Sequence, residues 1–359
     1  MQKQVNHPLN LAIHNVILDA LRGIAALAVL LAHGDHNQLI PLDVLAISDV
    51  KGFLGKFGVG LFFILSGYLI WISARNTLPK PGGLKIYFVH RATRIMPLYY
   101  VNVCAAAFLI PAIGSTYYSD ISAYTILRHL TFTQDFEPQV ERALNPVLWS
   151  LSHEMLFYLL TPSLVLLMST IRYRWLALTG LITMIPAISV LAGPLTTFAQ
   201  NFYLFVIGII AAEKIREAPP ASAFFLVTIA YVVAIQIGLL STAVSTAIGL
   251  AVVVFLGSLS IRGVGMFARK LLQPLAAIGV ISYSLYIWHY LLIQVIPAHW
   301  GSIIPVMERL GLMGLWHNEA LRGTSTIAVN IALASVSYWL IEKPFMGPIR
   351  GWMLKKIHA

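Results

Sequence analysis

Apolar residues in this chain gather into long runs, and short segments between the runs hold most of the charge. Ten runs stand out, at 16–34, 57–74, 95–113, 146–168, 175–192, 197–212, 222–240, 243–260, 274–297 and 324–342. A helix crosses the hydrocarbon of a bilayer with about 20 mostly apolar residues. Inside lipid each backbone N–H and C=O must find a partner within its own segment, which favours helices over open strands. The pattern predicts an all-α, polytopic membrane bundle of about ten transmembrane helices.

Charge between the runs alternates. Arg75, Lys80, Lys85, Arg91 and Arg94 fall on one side with Arg172, Arg174, Lys214, Arg216, Arg262, Arg269 and Lys270. Lys343, Arg350, Lys355 and Lys356 end on that side too, whereas the opposite loops are poorer in cations. The positive-inside bias then places both termini in the cytoplasm. Residues 1–345 read as one transmembrane domain, and 346–359 as a short basic cytoplasmic tail. Lys3 before an apolar run resembles a signal peptide, yet the small-residue match Ala26–Ala28 lies inside the run. A retained first helix is the expectation.

Composition sharpens this picture. Hydrophobic residues make up 58% and charged residues 11%, where a soluble domain carries about 25% charged. Mean hydropathy is +0.79. The net charge of +10 follows from topology and calls for no nucleic-acid partner; membrane lipids are the expected surroundings. One cysteine, Cys104, excludes an intrachain disulfide. Outer loops at 114–145 and 298–323 are the longest, and either hold a substrate or cap the bundle.

Ionisable groups within spans are costly and become functional candidates. In the first helix Arg22 and His33 lie eleven residues apart, on one face and about 16 Å apart along the axis. Asp19 can pair with Arg22 at i,i+3. Arg22 reads either as a snorkelling anchor or as a working cation, and His33 either as an interfacial cap or as a base. In the fourth span, NPVLWSLSHEMLFYLL carries Trp149, His153 and Glu154. Glu154 enters from the outer side to a depth comparable with His33, so a histidine oriented by this carboxylate could deprotonate a hydroxyl. Its bland alternative is a buried structural carboxylate. Phe157 breaks an H-E-x-x-H pattern, and no metal is expected.

Ser66, in FFILSG, offers a hydroxyl but lacks the flanking glycines of a nucleophile elbow, which favours packing. Arg91 and Arg94 share a helical face where the third span begins, and can clamp phosphate or merely express the positive-inside bias. His289 lies among Tyr283, Tyr286, Trp288 and Tyr290, an arrangement that also suits an aromatic belt.

Taken in order, the R-x10-H helix, FFILSG, R-x-x-R, WSLSHE, SYSLYIWH and the terminal IEKPF resemble the acyltransferase-3 family of bacterial membrane proteins. The resemblance covers essentially the whole chain. It implies a ten-helix acyltransferase of the bacterial inner (cytoplasmic) membrane, taking acyl groups from cytoplasmic acyl-CoA with no permanently bound cofactor. It implies O-acylation, by acetyl in the first instance, of a surface or lipid-linked glycan such as lipopolysaccharide or exopolysaccharide. A small secondary metabolite such as a macrolide is the alternative acceptor. Arg22 and His33 match the family's essential first-helix pair, Arg91 and Arg94 its cytoplasmic arginine motif, and Glu154 its acidic residue. The expected donor-binding set is Arg91, Arg94, Arg22 and Ser66, with His33, Glu154 and Arg22 catalytic and Asp19, Trp149 and His289 supporting. Intramembrane Arg, His and Glu would also suit a proton-coupled transporter, although no inverted repeat is evident.

Overall fold

The computed structural model describes residues 8–36, 40, 50–112, 121–137, 140, 143–170, 197–214, 266–298, 300–314 and 318–358. These residues form helices and connecting turns, with no strand among them. In chain order the helices are α1 (Pro8–His36), α2 (Val50–Thr77), α3 (Gly83–Ala112), α4 (Ala123–Leu130), α5 (Trp149–Thr170) and α6 (Thr197–Lys214). They continue with α7 (Met266–Val280), α8 (Ser282–Ala298), α9 (Trp300–Arg309), α10 (Glu319–Ser337) and α11 (Arg350–His358).

Five stretches among the described residues are long and apolar enough to span a membrane: Val16–Gly34, Leu54–Thr77, Gly83–Leu109, Pro146–Thr170 and Glu319–Ile357. The run at 197–212 corresponds to a shorter apolar helix, Asn201–Glu213. The runs expected at 175–192, 222–240 and 243–260 lie outside the described residues.

The expected single span at 274–297 is instead two helices, Lys270–Val280 and Ser282–Ile293, meeting at 63°. Each half answers to different neighbours. α7 packs along α1, while α8 packs about equally on α10 and α1 and also touches α3. The Asn102 and Asn145 amides both donate to the Ile287 carbonyl, at 2.9 and 3.0 Å, and fix the second half in place.

Lipid removes the hydrophobic force between helices, so close packing and hydrogen bonds hold the bundle together. Small residues mark the tightest crossings. A Cβ on Gly279 would lie 1.7 Å from the Asp19 carbonyl oxygen, and one on Gly23 would lie 2.1 Å from that of Leu275. α1 and α7 therefore touch backbone to backbone. Gly67 and Gly208 do the same between α2 and α6, each 2.2 Å by that measure from a carbonyl of the other helix. Around these crossings Leu21, Ile64, Tyr87, Tyr99, Phe157 and Phe205 are fully buried.

Past α10 the chain makes two π-helical turns, Tyr338–Glu342 and Phe345–Ile349. Pro344 and Pro348 lack an N–H, and a wider turn lets a following N–H serve the carbonyl each would leave unpaired. The segment expected as a basic tail is thus helical. Its Arg350 Nε donates to Thr93 Oγ1 of α3 at 2.8 Å. Cys104 has an exposed side chain on α3.

Candidate active site

The middle of α1 around Arg22, the first half of α3 and the end of the chain meet around one cavity. Their basic side chains surround an open cavity of about 320 Å³. Arg22, Arg91, Arg94 and Arg350 line it, together with Asp19 and His90. A cavity bearing four guanidiniums and one carboxylate suits an anion with several oxygens, because each guanidinium offers a planar fork of donors.

Each arginine is held by a partner. Arg22 donates to Asp19 at 2.9 Å, as the i,i+3 spacing leads one to expect. Arg91 donates to Ser73 Oγ at 2.7 Å and stands over the Tyr87 and Tyr158 rings. Arg94 donates to Glu342 Oε2 at 3.2 Å and stands over Tyr283. Glu342 is 2% exposed and also accepts from the Ser284 hydroxyl.

A second, more enclosed cavity of about 110 Å³ shares Arg22, Arg91 and Arg94 with the first and continues into the bundle. Ser66 and Glu154 line it. Ser66 donates to Glu154 Oε1 at 3.0 Å, and the Tyr158 hydroxyl donates to the same oxygen at 2.6 Å. Apolar side chains of α2 and α5 make up much of the remaining wall, and Phe62, Ser150 and Tyr286 line it as well. The Phe62 and Tyr286 rings meet edge to face at 5.5 Å, and Tyr286 shares a hydrogen bond of 2.7 Å with Ser150.

His33 is not among the lining residues of either cavity. It belongs to the other end of α1, where its Nδ1 lies 2.9 Å from His289 Nε2. Tyr290 meets its ring edge to face at 5.2 Å. Below it on α1, Val29 packs with Tyr286, Tyr290 and Phe62. Phe62 and Tyr286, which line the enclosed cavity, thus belong to the same packed cluster as Val29 and Tyr290 beside His33.

The orienting contact expected between His33 and Glu154 is replaced by two separate pairings. Equal depth does not fix azimuth: α5 turns Glu154 toward Ser66 of α2, while α1 presents His33 to α8. His153, beside Glu154, bonds Asp135 Oδ2 through Nε2 at 3.0 Å, both side chains being buried. Trp149 packs edge to face on His153 at 5.0 Å and on Phe63 at 6.0 Å, supporting the cavity wall from behind. Among the described residues no group of three or more His, Cys, Asp or Glu is placed to hold a metal ion.

Two contributors carry a sequence signal of their own. Glu342 is a carboxylate within an apolar run, the mark of a functional or paired group; in the sequence it appeared only inside the IEKPF motif. His289 looked like part of an aromatic belt, yet it is 1% exposed. Tyr158 gave no signal, since a tyrosine one turn from Glu154 is unremarkable until both face the same cavity.

A family model described as an acyltransferase domain matches residues 15–339. The chain is 29% identical over 318 residues to the exopolysaccharide production protein ExoZ of Rhizobium meliloti (strain 1021), covering 82% of this chain and 90% of that protein. It is 24% identical over 378 residues to nodulation protein 10 of Rhizobium leguminosarum bv. viciae, covering 93% and 94%. Against the peptidoglycan O-acetyltransferase OatA of Listeria monocytogenes it is 25% identical over 376 residues, which is 91% of this chain but only 55% of that longer protein. No solved structure matches. With the family model spanning nearly all of a helical bundle that has several membrane-crossing stretches, this chain belongs to the acyltransferase-3 family of multi-pass membrane acyltransferases.

Proposed function

We propose that the chain moves an acyl group, acetyl in the first instance, from cytoplasmic acyl-CoA to a hydroxyl of a cell-surface or secreted glycan, working in the bacterial inner membrane. The observation that carries this reading is the pair of cavities joined at Arg22, Arg91 and Arg94. An open, cationic chamber suits the phosphates of CoA, and the enclosed chamber behind it suits the thioester arm.

In this reading Arg91, Arg94 and Arg350 hold phosphate oxygens. Arg22, at the throat between the chambers, faces the thioester arm. Ser66 and Tyr158 keep Glu154 hydrogen-bonded in the chamber wall, where its charge offsets that of Arg22. Phe62 and Tyr286 turn aside to let the thioester meet the acceptor. His33 removes the hydroxyl proton as the oxygen attacks the thioester carbonyl. The carbon–sulfur bond then breaks, and the proton on His33 leaves with the CoA thiolate as the free thiol. One ester forms and one thioester is consumed, so atoms and charge balance without a further reactant. Positioned proton transfer of this kind contributes about 10²–10⁴-fold.

The direct assay mixes purified protein in lipid vesicles with acetyl-CoA and candidate glycans, and follows free CoA and ester formation together. Stoichiometric release of CoA with each ester is the expected result. Solute movement with no thioester consumed would instead indicate a carrier, and CoA release that no glycan stimulates would point to a small-molecule acceptor.

A further inference from the structure

His289 is buried on α8 and makes two hydrogen bonds through its ring. Its Nδ1 lies 2.6 Å from the Tyr286 carbonyl oxygen. A carbonyl oxygen only accepts, so Nδ1 must carry a hydrogen. The partner of its other ring nitrogen is a second histidine rather than a carboxylate. A buried imidazolium in such surroundings would be costly, so the ring is neutral. Neutral imidazole with hydrogen on Nδ1 holds its lone pair on Nε2.

That lone pair lies 2.9 Å from His33 Nδ1. Two lone pairs cannot share a hydrogen bond, so His33 must donate from Nδ1. In the neutral ring, the form a base must take, its own lone pair then resides on Nε2. The tautomer of the base is thus dictated in two steps by one main-chain carbonyl of α8. Ring packing reinforces the arrangement: the two imidazoles stack at 5.1 Å and 29°, while Tyr290 stands at 88° to His33.

We infer that His289 is a positioning residue, locking His33 in the Nδ1–H tautomer so that Nε2 takes the proton from the acceptor hydroxyl. The inference deepens the reading of His33 as the base, and rests on it. It assigns to a neutral histidine the orienting work for which a carboxylate was expected. When His33 gains its second proton, Nδ1–H keeps its acceptor, so the hydrogen bond survives the charge change.

The test uses the full chain in lipid vesicles. Ring-nitrogen NMR of ¹⁵N-histidine protein, with His33 signals identified by their loss in His33→Gln, should show hydrogen on Nδ1 and no hydrogen on Nε2. His289→Phe should lower kcat about 100-fold with the KM for acetyl-CoA unchanged. His289→Gln, whose amide oxygen can stand where Nε2 accepts, should recover kcat to within about 10-fold of the parent protein. Hydrogen on Nε2 of His33 in the parent protein would overturn the inference, as would parental kcat in His289→Phe. Should His289→Phe fail to fold, the NMR result and the His289→Gln kinetics still decide it. Undiminished transfer by His33→Ala would sink the reading of His33 as base, an outcome separate from the tautomer measurement.

Discussion

The two ends of the bundle handle polarity in opposite ways. At the arginine end fixed cations lie within reach of water. Arg22, Arg91, Arg94 and Arg350 are all partly exposed around an open cavity. At the histidine end polar groups are sunk among aromatic rings and joined by neutral hydrogen bonds, as with His33, His289 and the Ser150–Tyr286 pair. An excess of fixed cations suits an anion, whereas a hydrogen-bonded pair of imidazoles is equipped to handle protons. In the function proposed above, one lipid-embedded domain keeps binding and proton transfer apart, and Phe62 and Tyr286 meet edge to face on the wall of the enclosed cavity.

This contrast can be broken from either end. The largest effect should come from His33→Ala, which is expected to lower kcat by about 10²–10⁴-fold while acetyl-CoA affinity stays within about twofold. Separate measurement of kcat and of donor binding checks it; an affinity loss as large as the rate loss would mean that the two ends do not divide their labour.

Next comes Arg94→Gln, which strands Glu342 inside the bundle. Removing one partner of a buried pair costs about 3–5 kcal/mol, and partial exposure of Arg94 puts the low end of that range in view. Thermal unfolding in detergent should show the drop. Glu342→Gln added to it should restore stability but not acetyl-CoA affinity, which separates the structural work of this ion pair from its role at the donor site.

A smaller effect belongs to the loop beyond α3. His129 of α4 is fully buried, its Nδ1 bonded to the Thr125 carbonyl at 2.9 Å, and burial lowers its pKa to about 4. The unfolded loop takes up the proton more readily, so stability is present above pH 6.5 and lost as pH falls toward 4. The loss approaches about 3 kcal/mol. Hydrogen exchange over 121–137 should accelerate in that window, and His129→Leu should flatten the response.

The smallest effect is expected of Gly279→Ala. Its added Cβ collides with the Asp19 carbonyl, so α7 must shift from α1 at a cost of about 1–3 kcal/mol. The shift also moves Asp19 away from Arg22, so acetyl-CoA affinity should weaken while the histidine tautomer stays as it was.

Much of this was legible in the residues, for identifiable reasons. Helix periodicity put Asp19 three positions before Arg22 and predicted their pairing. Apolar run length located α1, α2, α3, α5 and α10, because lipid thickness sets how long a span must be. What run length cannot encode is azimuth. Glu154 and His33 share a depth but face different neighbours, so their expected contact was misplaced. Nor does hydropathy register a bend: 274–297 is apolar throughout, yet contacts from other helices divide it at Ile281. His289 was obscured by its aromatic neighbours, which suit an interfacial belt and a packed imidazole equally well. Glu342 was visible as a charge in an apolar run, but its partner Arg94 lies 248 positions away.

The claim that donor and acceptor are met at opposite ends can be tested most directly by geometry of access. Inside-out membrane vesicles carrying the protein would be loaded with acceptor glycan in the lumen, and labelled acetyl-CoA supplied outside. The account requires labelled ester to build up on the enclosed glycan while CoA is released outside, with neither occurring in His33→Ala. Label transferred only when glycan and acetyl-CoA share a compartment would contradict it.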